Sequence, residues 1–184
     1  DVAVSGSILY VADDYTGLHV VDITDPAAPR RIGLINNNQL VFQVETTGAF
    51  VYVANWTSGL RIYDATQVTK LAEWKRLDTM NFNVGVSLAN GFIYAADSQG
   101  GLLIAQERFQ ITGSVRQANG LPSAGVLITL DGVQSLPTNP SGNFTFNEVR
   151  VGAHTLTPTL TGYQFSPASR QLNLPGRTAD QDFI

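Results

Sequence analysis

The sequence predicts an all-β chain built in two parts, and three observations carry that expectation. Two short apolar blocks recur at a spacing of 42 residues through the first 106 or so residues. Each block is β-branched or aromatic and bounded by Gly, Asn, Asp or Ser, which is the grammar of a strand. From Ile111 onward the repeat stops, and short alternating segments joined by Asn-Gly, Pro and Ser-Gly turns replace it.

The first block is Leu9-Tyr10-Val11-Ala12-Asp13, repeated as Val51-Tyr52-Val53-Ala54-Asn55 and as Ile93-Tyr94-Ala95-Ala96-Asp97. The second is Gly17-Leu18-His19-Val20-Val21-Asp22, then Gly59-Leu60-Arg61-Ile62-Tyr63-Asp64, then Gly101-Leu102-Leu103-Ile104-Ala105-Gln106. Ahead of the blocks, Val2/Val4, Val44 and Val86/Leu88 supply an alternating strand. Behind them, Pro29 to Ile35 and Lys70 to Leu77 supply a fourth. Four antiparallel strands in about 42 residues are the content of one β-propeller blade. The third copy stops after its inner three strands, so the expectation is two full four-stranded blades and an incomplete third.

The wording Tyr10-Val11-Ala12-Asp13, Gly17-Leu18-His19-Val20-Val21-Asp22-Ile23 and Thr24-Asp25-Pro26-Ala27-Ala28-Pro29 resembles the LVIVD repeat, a bacterial and archaeal surface-protein family expected to form β-propellers. The resemblance runs from residue 1 to about 106 and is best in the first copy; in the second, Gln67-Val68 replaces the Asp-Pro pair. A closed propeller needs four to eight blades. Residues 1–106 therefore read as the C-terminal part of a larger propeller, or as a share of a ring formed by several chains. Asp1 stands directly before the alternating Val2 and Val4, as in a mature or truncated product.

In the second part, residues 107–184, strands are expected at 111–116, 125–130, 143–146, 153–160 and 168–174, with a last one near the terminus. Phe144, Phe146, Leu156, Leu160, Tyr163 and Phe165 alternate with polar residues, so each would turn one side into a small β-sandwich core. Ile111-Thr112-Gly113-Ser114-Val115, Ser141-Gly142-Asn143-Phe144-Thr145-Phe146 and Gly162-Tyr163-Gln164-Phe165-Ser166-Pro167 resemble the carboxypeptidase regulatory-like, or prealbumin-like, family. That resemblance implies a non-catalytic appendage on a secreted protein.

Composition narrows the function classes. Charged residues make up 14% of the chain, against about 25% in an average soluble domain. The net charge of −4 and the scattered Lys and Arg provide no basic field for nucleic acid. No cysteine is present, so disulfides and thiolate metal sites are excluded. No apolar run approaches the ~20 residues of a membrane helix.

No catalytic, metal or cofactor-binding constellation is expected. The two histidines, His19 and His154, fall in different parts of the chain and cannot make a cluster or a triad together. Asp13-Asp14 and Asp22 with Asp25 have the residue type that calcium needs. However, Asp13, Asn55 and Asp97 share one repeat position, where a short polar side chain sets a turn. Asn55-Trp56-Thr57 and Asn143-Phe144-Thr145 fit the N-glycosylation pattern, as chance would allow in a chain rich in Asn and Thr. The candidate interaction residues are Tyr15 and Trp56, in equivalent loops, and Trp74, on an outer strand. A loop Trp is enriched at interfaces, although packing on the neighbouring blade would also account for Trp56.

The functional expectation is a non-catalytic extracellular or cell-envelope structural or interaction protein that assembles with itself through its strand edges. Its partners would be proteins, either other copies of itself or upstream propeller blades. The alternative is a glycan- or peptide-binding accessory module of a larger secreted hydrolase or adhesin.

Overall fold

The repeated blocks form hairpins, because Gly in a left-handed turn joins two runs that are each too apolar to leave unpaired. In the computed structural model, which describes residues 1–36, 40–79, 82–175 and 180–184, the chain separates into two units, Asp1–Gln106 and Glu107–Ile184. All secondary structure among the described residues is strand, seventeen in number.

Unit one holds three antiparallel meanders. Sheet one runs β1 (Val2–Ser5), β2 (Ile8–Asp13), β3 (Gly17–Asp22) and β4 (Arg30–Ile35) in that order. Sheet two repeats it with β5 (Gln43–Thr46), β6 (Phe50–Ala54), β7 (Leu60–Asp64) and β8 (Ala72–Leu77). Sheet three has β9 (Asn83–Ala89), β10 (Phe92–Asp97) and β11 (Gly101–Gln106); among the described residues no strand pairs with the far side of β11. The repeat extends to irregularities: a bulge between Val20 and Val21 recurs between Ile62 and Tyr63.

The sheets pack face to face in series, with β1 against β5 and β5 against β9. Cross-strand partners share a face, so the registers define two faces per sheet. Tyr10 pairs with Val20 and Ala12 with Leu18 on one face of sheet one. Those side chains form a core with Val44, Val51, Val53 and Tyr63 from the opposing face of sheet two. The next junction is built alike, with Tyr52, Leu60 and Ile62 buried from sheet two and Val86, Ile93 and Ala95 from sheet three.

A polar clamp also crosses each junction. The Asp1 carboxylate accepts the backbone N–H of Val44 at 3.1 Å, and the Gln43 side-chain oxygen accepts that of Val86 at 2.8 Å. Asp1, Gln43 and Gly85 occupy the same repeat position, so the third copy carries no such side chain.

Unit two is a two-sheet β-sandwich. One sheet orders β14 (Gln134–Pro137), β13 (Leu127–Leu130), β16 (Gly152–Thr159) and β17 (Arg170–Leu174); the other pairs β12 (Phe109–Ser114) with β15 (Asn143–Val149). The C-terminal residues add to β12: Gln181 and Phe183 donate backbone bonds to Thr112 and Ser114, and Val115 bridges Phe183 in parallel. Phe144, Phe146 and Leu156 are buried between the sheets, together with Ile111, Val115, Val126, Ile128, Leu174 and Phe183.

Two expectations for this unit need correction. β14 was not anticipated; it follows a hairpin at Asp131-Gly132, where both residues have positive φ (53° and 71°), a tight-turn signal of the kind that joins adjacent strands. Leu160 and Tyr163 are exposed rather than buried. β16 ends at Thr159, and Tyr163 N–H closes a turn onto the Leu160 carbonyl, which takes both side chains out of the alternating ladder.

Candidate functional site

The turns that follow the first block in each repeat gather the candidate side chains. In copy one the Asp13 carbonyl accepts Thr16 N–H at 2.7 Å and its carboxylate accepts the Thr16 hydroxyl at 2.6 Å. In copy three the Asp97 carboxylate accepts Gln99 N–H at 3.2 Å and Gly100 N–H at 2.9 Å. Both carboxylates thus hold their own turns. Asn55 differs: Ser58 N–H reaches its carbonyl and its own N–H reaches Gly59 O, while its buried side-chain oxygen has no partner.

Asp22 and Asp25 are engaged in the same way. The Asp22 carboxylate accepts the hydroxyl and N–H of Thr24, which hold its pKa below the usual value, with Arg30 adding to the effect. Asp25 accepts Ala27 N–H, and Asp64 with Thr66 repeats the Asp22 arrangement. Among the described residues no three ionisable side chains converge into a cation site.

Trp56 occupies the turn between β6 and β7. Its carbonyl accepts Asn83 N–H at 3.0 Å, the repeat counterpart of the bond from Val41 N–H to Asp14 O. This backbone bridge fixes the indole at the junction of sheets two and three. There it stacks on Phe82 with ring centroids 4.2 Å apart and planes 9° from parallel, and meets Phe42 at 5.0 Å. Phe42 is partly exposed, so the trio forms an aromatic patch at the turn end of the sheets. Beneath it Asn83 is fully buried; its amide donates to the Ala96 carbonyl at 3.2 Å, where the β9–β10 register shifts, and its side-chain oxygen has no partner.

The other two candidates do not join this patch. Tyr15 is 77% exposed at the tip of the copy-one turn. Trp74 lies on the outer strand β8, where its ring meets Phe50 at 4.7 Å and Lys75 approaches its face at 6.0 Å. Phe42 and Phe82 were not foreseen. They lie 40 residues apart rather than 42, so the repeat does not relate them, and nothing in their flanking sequence marks them as neighbours of Trp56.

The histidines are bound locally. His19 Nε2 lies 2.7 Å from the Thr16 hydroxyl and 3.5 Å from the Asp13 carboxylate. His154 spans Asp131 Oδ2 at 2.7 Å and the Arg150 carbonyl at 2.8 Å, and Asp131 Oδ1 also accepts Thr155 N–H. On unit two an open groove lined by Leu127, Pro158, Leu160, Tyr163 and Phe165 contains no carboxylate, imidazole or cation. Of the two N-glycosylation patterns, Asn55 is buried and Asn143 exposed.

Two family models match the chain, one within each unit. The model of the LVIVD repeat matches residues 1–36 and 41–79, covering the first two copies and not the shorter third. The model of the carboxypeptidase regulatory-like domain matches residues 110–184. No curated protein matches the chain. Among solved structures, a chain of the mitotic checkpoint complex is similar at 13% identity and a TM-score of 0.44, over 94% of this chain and 61% of that one. The extracellular domain of the one component system BT4673 from B. thetaiotaomicron is similar at 11% identity and a TM-score of 0.39, over 92% of this chain and 28% of its own. The chain thus spans less than two thirds of the structures it resembles. It carries LVIVD repeats in its first unit and a carboxypeptidase regulatory-like domain as its second.

Proposed function

We propose that the chain is a non-catalytic protein of the cell exterior or envelope that acts through protein contact, with copies of itself as the principal partner. Both matched families are repeat or regulatory domains rather than catalytic ones. The observation that carries the reading is sheet three, which among the described residues has three strands where each of its two predecessors has four, so that β11 is its outermost strand. An outermost strand is a template for strand addition, which supplies main-chain hydrogen bonds without a dedicated pocket. Analytical ultracentrifugation and electron microscopy over rising concentration test it. The expected result is particles larger than one chain; monodisperse monomers throughout would count against it.

The aromatic patch favours a second reading, a glycan- or peptide-binding accessory module of a larger secreted hydrolase or adhesin. Stacked Trp and Phe rings with a partly exposed edge present the flat apolar surface on which a sugar ring or an aromatic residue can lie. Replacing Trp56 by Ala separates the readings: loss of retention on immobilised polysaccharide or peptide, with assembly intact, favours the module.

A further inference from the structure

The repeat places the same side-chain types on sheets with different surroundings. Leu18 and Leu60 share a position with Leu102, and Val20 and Ile62 share one with Ile104. In sheets one and two these residues are 0–1% exposed, whereas Leu102 is 60% and Ile104 is 55% exposed. At the other end of the series, Val2 shares a position with Val44 and Val86. Val44 and Val86 are each 2% exposed and Val2 is 59%. Val4 adds to the same face, since it pairs with Leu9 as Val2 pairs with Val11, and it is 57% exposed.

The two exposed faces are therefore of opposite kinds. The outer face of sheet three, with Phe92, Leu102 and Ile104, has the chemistry of the faces that sheets one and two turn toward their successors. The outer face of sheet one, with Val2, Val4, Leu9 and Val11, has the chemistry of the faces that sheets two and three turn toward their predecessors. The chain already contains two junctions between these kinds of face. Exposed contiguous apolar surface of this sort marks an interaction site.

Resting on the assembly reading above, we infer that copies of this chain associate head to tail, the Leu102/Ile104 face of sheet three in one copy packing on the Val2/Val4 face of sheet one in the next. The occupant of each face is thus a second copy, and the contact continues a junction already present twice within unit one. It is heterologous, so it builds a ring where the rotation per copy closes and a filament where it does not, and never a two-fold dimer. Gly85 stands where Asp1 and Gln43 clamp the internal junctions. The junction between copies lacks that bond, so it is weaker than the internal ones and reversible.

The test uses the full chain with Leu102→Asp and Val2→Asp. Both side chains are exposed within one copy, so a charge there leaves the fold of that copy intact, and it disrupts only a contact that buries it. Sedimentation of the wild type should show mass rising with concentration above the 19.8 kDa of one chain. Each variant alone should associate at least about 100-fold more weakly, the cost of an unpaired buried charge. An equimolar mixture of the two variants retains one intact pair of faces, and should form a dimer of one copy of each and nothing larger. Assembly undiminished in both variants would overturn the inference while leaving strand-edge assembly standing. A wild type that remains monomeric would overturn both, and a mixture that fails to pair while the wild type assembles would overturn the head-to-tail contact.

Discussion

A Cβ atom placed on Gly17 would lie 2.2 Å from the carbonyl oxygen of Ile35, the last residue of β4. The counterpart at Gly59 would lie 2.5 Å from the Leu77 carbonyl at the end of β8. At Gly101 nothing comes within 4 Å, because among the described residues sheet three has no fourth strand. All three residues have positive φ, so the repeat separates two effects that glycine usually combines. Gly101→Ala should cost about 1 kcal/mol from backbone conformation alone. Gly17→Ala and Gly59→Ala should each cost about 3 kcal/mol, since the outer strand must also move. Urea denaturation of the three variants measures the difference, and equal losses would remove the outer strand from the account.

Asn83 occupies the repeat position of Val41, so copy two shows that an apolar residue can fill this site. With Asn83 fully buried and its side-chain oxygen unpartnered, Asn83→Asp would bring a charge where nothing offsets it. A loss of about 3 kcal/mol or more is expected. Asn83→Val should cost on the order of 1 kcal/mol, mainly the bond to the Ala96 carbonyl. Chemical denaturation of the pair checks the ranking.

Burial raises the pKa of Tyr10, and of Tyr63, where Glu73 adds to the rise and Arg61 opposes it. The folded chain therefore keeps these phenols neutral after the unfolded chain has begun to lose their protons near pH 10.0. Their contribution is fully present below that pH and is lost as pH rises through the higher native values. Melting temperature should fall more steeply above about pH 10 in the wild type than in Tyr10→Phe, which keeps the ring and removes the titration. Identical alkaline profiles from circular dichroism melts would show that Tyr10 does not contribute.

In unit two, Asp131 makes the β13–β14 turn with φ of 53° while its carboxylate serves Thr155 N–H and His154. Asp131→Ala loses both bonds and the tolerance of positive φ, and should cost about 2–3 kcal/mol. Asp131→Asn keeps an acceptor oxygen and that tolerance, and should cost less than about 1 kcal/mol. Thermal unfolding monitored on unit two distinguishes these outcomes.

The three-sheet repeat was legible because each strand pair recurs in one register, and a register once established places every side chain on a face. Legibility failed where structure departs from periodicity. β14 hid behind a three-residue turn and ends at Pro137, a residue that argues against a strand interior. Leu160 and Tyr163 read as a continuation of the alternating pattern, but the chain leaves the ladder one residue earlier. Trp56 stood out by its type and loop position, whereas Phe42 and Phe82 joined it only through folding of segments that the repeat does not relate. The clamps from Asp1 and Gln43 cross between sheets, and a linear pattern does not report that distance. Leu102 and Leu60 are indistinguishable as letters; only the presence or absence of a neighbouring sheet sets their exposure.

Among the described residues of unit one, sheet two has both faces covered by neighbouring sheets, and all five residues of β6 are buried. In a stack where each layer touches only its neighbours, stability grows from such a middle layer outward. Opening fluctuations should begin at the two flanks, and the amide protons of β6 should exchange with solvent last, through complete unfolding of the stack. The middle copy is thereby the kinetic anchor of the unit, although its sequence is no more apolar than that of its neighbours.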